Sequence, residues 1–504
     1  MNKFFSVLDF YTIANELFLI FSIGVLLSYG IYVSSSKNYN YPVLTKNISW
    51  LSIFVIVFLF FILNNSLQLA NLALNNFLIF DNITTIVKII TILAGISCLL
   101  ISIFYLKQEK LNIFEYKILF LLSILAIFLV ISSYDFLSIY LALELQNLTF
   151  YIIASIKRNS EYSTEAGLKY FILGAVSSGL LLLGIAIIYG FTGLTNFEDL
   201  NRFFSSTMIN LKFDEISNSV LLGITLIIVS FFFKLSAAPF HIWSPDVYEG
   251  SSTSVISFFN IITKIVIFTL FLRLFEIGFH DLFNYKIKII IFCSLISLTI
   301  GSFSALFQKR FKRFLAYSSI SHIGFIIITL AAANTNGLNN LFIYIIIYII
   351  IIIGIFSILI SLRKFKSYRI NYQIRYLTEI NILSLINPLA AFSFAIILFS
   401  IAGIPPLAGF FSKLFVFTAC LQSSLYFLTF IGILLSGITA FYYIQIIKII
   451  YFGRLNFWSI YIPIDKSNAV MISITTLLLI LFFADNSIFI TSNLVSLNIF
   501  HFLK

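Results

Sequence analysis

The chain has 504 residues, 60% of them hydrophobic and only 10% charged, with a mean hydropathy of +1.06. That composition excludes a soluble globular domain, and apolar runs of the ~20 residues that span a bilayer recur from end to end. The net charge of +11 reads as membrane topology rather than as a nucleic-acid surface, and Cys98, Cys293 and Cys420, all in apolar runs, are too few and scattered for a disulfide framework, a zinc site or an iron–sulfur cluster.

The apolar runs predict an all-α polytopic membrane protein with about 14 transmembrane helices. They fall in residues 11–33, 48–63, 82–106, 113–132, 135–156, 165–190, 218–241, 252–274, 287–307, 315–333, 340–362, 384–422, 426–452 and 469–491. The first is expected to be a retained helix and not a cleaved signal peptide, because Asp9 and Glu16 precede its apolar part and no small-residue cleavage site follows. The run 384–422 is too long for one crossing and must be broken in its middle. The longest loop between helices is 191–217.

Loops alternate between two sides. One set carries Lys37, Lys46, Lys107, Lys110, Lys157, Arg158, "QKRFKR" (308–313), "RKFKSYR" (363–369) and Arg375; the other carries Arg202, Lys212, Lys286 and Lys288. By the positive-inside rule the first set faces the matrix or cytoplasm, so both termini face outward. The 60 phenylalanines and 26 tyrosines, with abundant Ile and Asn, match A/T-rich codons, as in a mitochondrial genome or an A/T-rich bacterium.

Several ionisable residues sit deep inside the predicted spans. Glu144 is midway through the fifth, Lys234 in the inner half of the seventh, Lys264 in the middle of the eighth, and Lys413 just past the break in the twelfth. His322 lies about two turns into the tenth, and His241 follows Lys234 by two turns. A charge at the bilayer centre costs about 2.5–3.5 kcal/mol. Four of them facing lipid would cost on the order of 10 kcal/mol, comparable to total folding stability. They are therefore expected to face the protein interior, with Glu144 and Lys234 as a pair of unlike charges whose making and breaking moves a proton on or off the lysine. The blander readings are snorkelling for a lysine, which Lys264 is too central to manage, and a backbone-satisfied loop-end histidine for His241.

Five of the seven prolines, Pro239, Pro245, Pro388, Pro405 and Pro406, cluster in the spans carrying Lys234 and Lys413. Proline removes a backbone donor and clashes with the preceding turn, so helices 7 and 12 are expected to be discontinuous. Broken membrane helices persist where freed carbonyls line a cavity, and they recur in the two halves of inverted-repeat transporters. The predicted organisation is residues 1–110 for helices 1–3, two inverted five-helix repeats at 111–275 and 286–452, and 453–504 for helix 14.

At these residues the chain resembles the subunit 2 family of NADH:ubiquinone oxidoreductase, respiratory complex I. The motifs are "LELQNLTFY" (143–151), "STEAGLKYFILGAVSSGLLLLG" (163–184), "FFFKLSAAPFHIWSPDVYEGSST" (231–253), "AYSSISHIGF" (316–325) and "FSIAGIPPLAGFFSKLFVF" (399–417). They cover most of 134–417; the first 80 and last 60 residues diverge. The resemblance implies an antiporter-like proton-translocating module of the membrane arm in the mitochondrial inner membrane, or in a bacterial plasma membrane. Glu144 and Lys234 would be its coupling pair, Lys264 its central relay lysine, Lys413 its terminal group, and His241 and His322 accessory members of the polar axis. NADH, flavin, iron–sulfur clusters and ubiquinone would be bound by other subunits, and no cofactor or metal is expected on this chain, which has no Gly-rich dinucleotide or Walker motif. Its partners would be other membrane-arm subunits, among them adjacent antiporter-like ones, and membrane lipids, with no nucleic acid. The alternatives are a subunit of a multi-subunit cation/proton antiporter and a scaffold that moves no proton. Asp81 and Lys88, near the start of the third span, read as interfacial, so Lys88→Ala is expected to be mild.

Overall fold

A computed structural model of the chain describes residues 7–34, 45–65, 71–109, 111, 113–207, 214–279, 282–332, 335–366, 369–381, 383–453, 461–482, 484 and 486–501. Of the loop residues named above, Lys37, Lys110, Lys212, Ser367 and Tyr368 lie outside the described residues. The helices run in order from α1 (Val7–Thr12) through α2 (Ala14–Ser34), α3 (Thr45–Asn65), α4 (Asn82–Gln108), α5 (Phe114–Ser132), α6 (Phe136–Ala154) and α7 (Glu161–Thr192). They continue with α8 (Phe197–Thr207), α9 (Asp214–Leu235), α10 (Trp243–Gly250), α11 (Thr253–Leu272), α12 (Phe283–Leu306), α13 (Phe311–Ala332) and α14 (Thr335–Ser361). The rest are α15 (Leu383–Ile386), α16 (Pro388–Ala402), α17 (Ala408–Gln422), α18 (Tyr426–Phe452), α19 (Lys466–Ile480) and α20 (Ser487–His501). Two antiparallel hairpins, β1 (Asn71–Ala73) with β2 (Leu78–Phe80) and β3 (Arg363–Lys366) with β4 (Arg369–Gln373), close loops that showed no strand pattern.

Among the described residues 12 helices are long and apolar enough to cross a membrane, and shorter apolar helices include α16, α17 and α19. An apolar solvent leaves the backbone no partner but itself, so even the isoleucine run of α14 is helical, although β-branched residues favour strands in water. Exposed apolar side chains such as Leu168, Phe171 and Val176 on α7, or Phe427, Phe430 and Leu434 on α18, form the outer face. α11, α13 and α14 are almost wholly enclosed by the chain itself. These three innermost helices carry Lys264, His322 and the pair Tyr344 and Tyr348.

Both expected breaks are present. α9 stops at Leu235, Ser236 takes φ 60°, and the chain turns before restarting as α10, with Pro245 in the new first turn. α16 ends at Ala402 and is capped by Gly403, φ +87°, and α17 starts at Ala408 beyond Pro405 and Pro406. The long loop holds α8, which buries Phe197, Leu200 and Phe204 at helical spacing.

Lys88 corrects the expectation of an interfacial lysine. It is 1% exposed, its ammonium lies 2.5 Å from Glu16 Oε1 on α2, and it stands over the Phe80 ring at 4.5 Å. Asp81 is likewise buried. It caps α4 through the Thr84 amide and accepts from Arg273 Nη2 at 2.9 Å. The spacing along α4 placed both near a helix end, but the helices packed around that end enclose them.

Candidate functional site

The site is built outward from Lys264. Its ammonium donates to Asn260 Oδ1, one turn earlier on α11, and to the Tyr348 hydroxyl on α14, and it stands 4.4 Å from the Tyr348 ring centroid. The Tyr348 hydroxyl also donates to Asn260 Oδ1 at 2.9 Å, closing a three-membered polar knot inside an apolar core. Each hydrogen bond to a charged group contributes about 1.5–3 kcal/mol, so the knot offsets part of the lysine's burial. Tyr348 faces His322 with ring centroids 5.6 Å apart.

His322 spends both ring nitrogens on tyrosines. Nδ1 is 2.8 Å from the Tyr344 hydroxyl and Nε2 is 3.2 Å from the Tyr443 hydroxyl on α18. A ring held between two hydroxyls can take a proton on one nitrogen and release one from the other. Beyond it, a small cavity is shared by His322, Tyr344, Tyr348, Ser412 and Lys413.

Lys413 answers to the broken helix. Its ammonium donates to the carbonyl of Ala402 at 3.0 Å, one of the oxygens the break leaves without a helical partner, and to Thr439 Oγ1 at 3.3 Å. The Phe325 ring centroid is 5.4 Å away. The break thus supplies a buried cation with an acceptor beside the Thr439 hydroxyl.

At the other end the expected Glu144–Lys234 ion pair is not formed. Among the described residues neither Lys234 Nζ nor Glu144 Oε1 has a hydrogen-bond partner, although both atoms are buried. His241 lies in the turn after Ser236 and not on a continuing helix face; it is half-buried, with its ring 6.5 Å from Tyr317. The structure therefore brings Lys264, His322 and Lys413 into one connected series and leaves Glu144, Lys234 and His241 as a separate group near the first break.

Four residues the sequence reading passed over belong to this series: Asn260, Tyr344, Tyr348 and Tyr443. Two signals were available. Asn260 is four residues before Lys264, on the same helix face. Tyr344 and Tyr348 are four apart in an otherwise isoleucine-rich run, which sets two hydroxyls on one side of α14.

A family model described as "NADH:quinone oxidoreductase/Mrp antiporter, TM" matches residues 133–439, a stretch that contains all six candidate residues. The chain is 43% identical to NADH-ubiquinone oxidoreductase chain 2 of Marchantia polymorpha over 94% of this chain and 95% of that one. Its fold is similar to a chain of respiratory complex I from Thermus thermophilus, with a TM-score of 0.76 at 23% identity over 94% of this chain and 98% of that one. It is also similar to a chain of the Mrp complex from Dietzia sp., with a TM-score of 0.81 at 19% identity over 97% of each.

Proposed function

The chain belongs to the NADH:quinone oxidoreductase/Mrp antiporter family, among its complex I subunit 2 members, and from that premise we propose that Lys264, His322 and Lys413 form a proton relay gated by Glu144 and Lys234. The chain is a subunit of the H+-translocating NADH:ubiquinone oxidoreductase. The observation that carries the relay is the polar series on the most enclosed helices: Lys264 bonded to Tyr348, Tyr348 against His322, and His322 between two tyrosine hydroxyls beside the cavity of Lys413. His241, in the turn after the first break, is an accessory proton acceptor of the Glu144–Lys234 end.

The gap between Glu144 and Lys234 gives the relay its switch. With the pair open, Lys234 is a buried cation without a partner, and such an arrangement favours release of its proton toward Lys264. With the pair closed, the carboxylate stabilises the ammonium. Quinone reduction in partner subunits drives the alternation, and the redox groups, NADH, flavin, iron–sulfur clusters and ubiquinone, sit on those subunits. The chain lies in the mitochondrial inner membrane beside other antiporter-like subunits, with both termini in the intermembrane space and residues 111–275 and 286–452 as its two repeat units. The 0.81 TM-score to the Mrp chain, at 19% identity, is a likeness of fold alone, whereas the 43% identical relative is an oxidoreductase chain.

Lys264→Ala tests the relay. The complex is expected to assemble and to lose proton pumping and coupled turnover together. Normal pumping in that variant removes Lys264 from the path.

A further inference from the structure

Lys117 is a buried lysine that this relay does not use. It stands one turn into α5 at 3% exposure, and its ammonium donates to Ser102 Oγ at 2.9 Å. No carboxylate lies within 4 Å of it among the described residues. A buried ammonium with one neutral partner is costly, and an apolar side chain of similar length would fill the space without that cost.

Its surroundings are polar in an ordered way. Ser102 belongs to a face of α4 formed by Cys98, Ser102 and Tyr105, all buried. That face meets a stripe on α11, Ser254, Ser257 and Asn260, which repeats every three residues and ends one turn before Lys264. The Tyr105 hydroxyl accepts from the Thr253 amide at 3.2 Å, and Tyr116 Oη is 3.5 Å from Ser254 Oγ. Asn260 Oδ1 then accepts from Lys264 itself.

Outward, Tyr105 lines a cavity with Lys157, Arg310 and Lys312 on the side of the basic loops. In its wall the buried hydroxyls of Ser251 and Ser252 have no hydrogen-bond partner among the described residues. Polar groups thus run from that cavity down to the relay lysine.

We propose that this seam between α4, α5 and α11 carries protons from the basic-side cavity to Lys264, with Lys117 as its proton-holding residue. The proposal rests on the relay reading. The neutral amine of Lys117 takes up a proton from the cavity side and as ammonium returns it to the hydroxyls of Ser102, Tyr116 and Ser254. Each hydroxyl accepts one proton as it releases another, so none is left charged; the Asn260 carbonyl oxygen only accepts, and the amine of Lys264 receives its proton from the Tyr348 hydroxyl, which takes one from the seam in its place.

The test measures protons pumped per NADH oxidised in membranes holding the assembled complex. Lys117→Met and Ser257→Ala are each expected to show a loss of pumping. Lys117→His is expected to restore part of it, because an imidazole carries a proton and a thioether does not. Lys264→Ala is measured alongside. Normal pumping in Lys117→Met with pumping lost in Lys264→Ala overturns the seam and leaves the relay standing; normal pumping in both overturns both. If Lys117→Met does not assemble, Ser254→Ala and Ser257→Ala decide, since each removes only a hydroxyl, and unchanged pumping in both overturns the proposal.

Discussion

One tyrosine stands between Lys264 and His322. Tyr348 touches Lys264 through its oxygen and His322 through its ring, so Tyr348→Phe keeps the packing and removes the hydroxyl bonded to the lysine. The complex is expected to assemble normally, with proton transfer past this point slowed on the order of 100-fold, the lower end of what a positioned proton-transfer group contributes. Pumping equal to the parent complex would show that protons bypass the tyrosine. Lys88 behaves differently. Among the described residues its carboxylate partner is Glu16, and removing one member of a buried pair leaves the other uncompensated at about 3–5 kcal/mol. Lys88→Ala should therefore lower the amount of assembled complex on native gels, and adding Glu16→Gln should recover much of it. Full assembly of the single variant would contradict this. The lysines and His322 were legible in the sequence because a charge inside an apolar run stands out. Glu16 was not, because a carboxylate near the end of a first helix reads as a flank, and its lysine partner is 72 residues away. The tyrosines were hidden by their ordinariness in a chain with 26 of them.

The discontinuous helices were legible because proline states its own backbone consequence. What proline does not state is how closely the two halves of a broken helix approach each other. A Cβ at Gly409 would come within 1.7 Å of the Ser400 carbonyl oxygen, so α17 meets α16 backbone to backbone only because that residue is glycine. Gly409→Ala must push the halves apart and with them the Ala402 carbonyl that holds Lys413. The expected outcome is loss of pumping that exceeds any loss of assembled complex; assembly and pumping both at parent level would show that the break tolerates the shift. The two hairpins went unforeseen for a related reason. Their strands are three to five residues long, so no two-residue alternation had room to develop.

At the scale of the whole molecule the chain spreads its ionisable groups over a path and not a pocket. Lys264 meets His322 through Tyr348, and His322 shares a small cavity with Lys413, while among the described residues Glu144 Oε1 and Lys234 Nζ are buried without a hydrogen-bond partner. The matching depth of those two residues was readable from hydropathy; the gap was not, because it depends on how α6 and the end of α9 are rotated, which side-chain packing decides. In the proposed relay this open pair beside a broken helix is the element that couples proton movement to events in neighbouring subunits. The direct test is the number of protons pumped per NADH oxidised in membranes carrying Glu144→Gln, with assembly followed on native gels. Pumping should fall while the complex stays intact, because the amide can no longer stabilise the Lys234 ammonium. Unchanged pumping with intact assembly would contradict a relay governed by this pair and leave the chain a scaffold of the membrane arm.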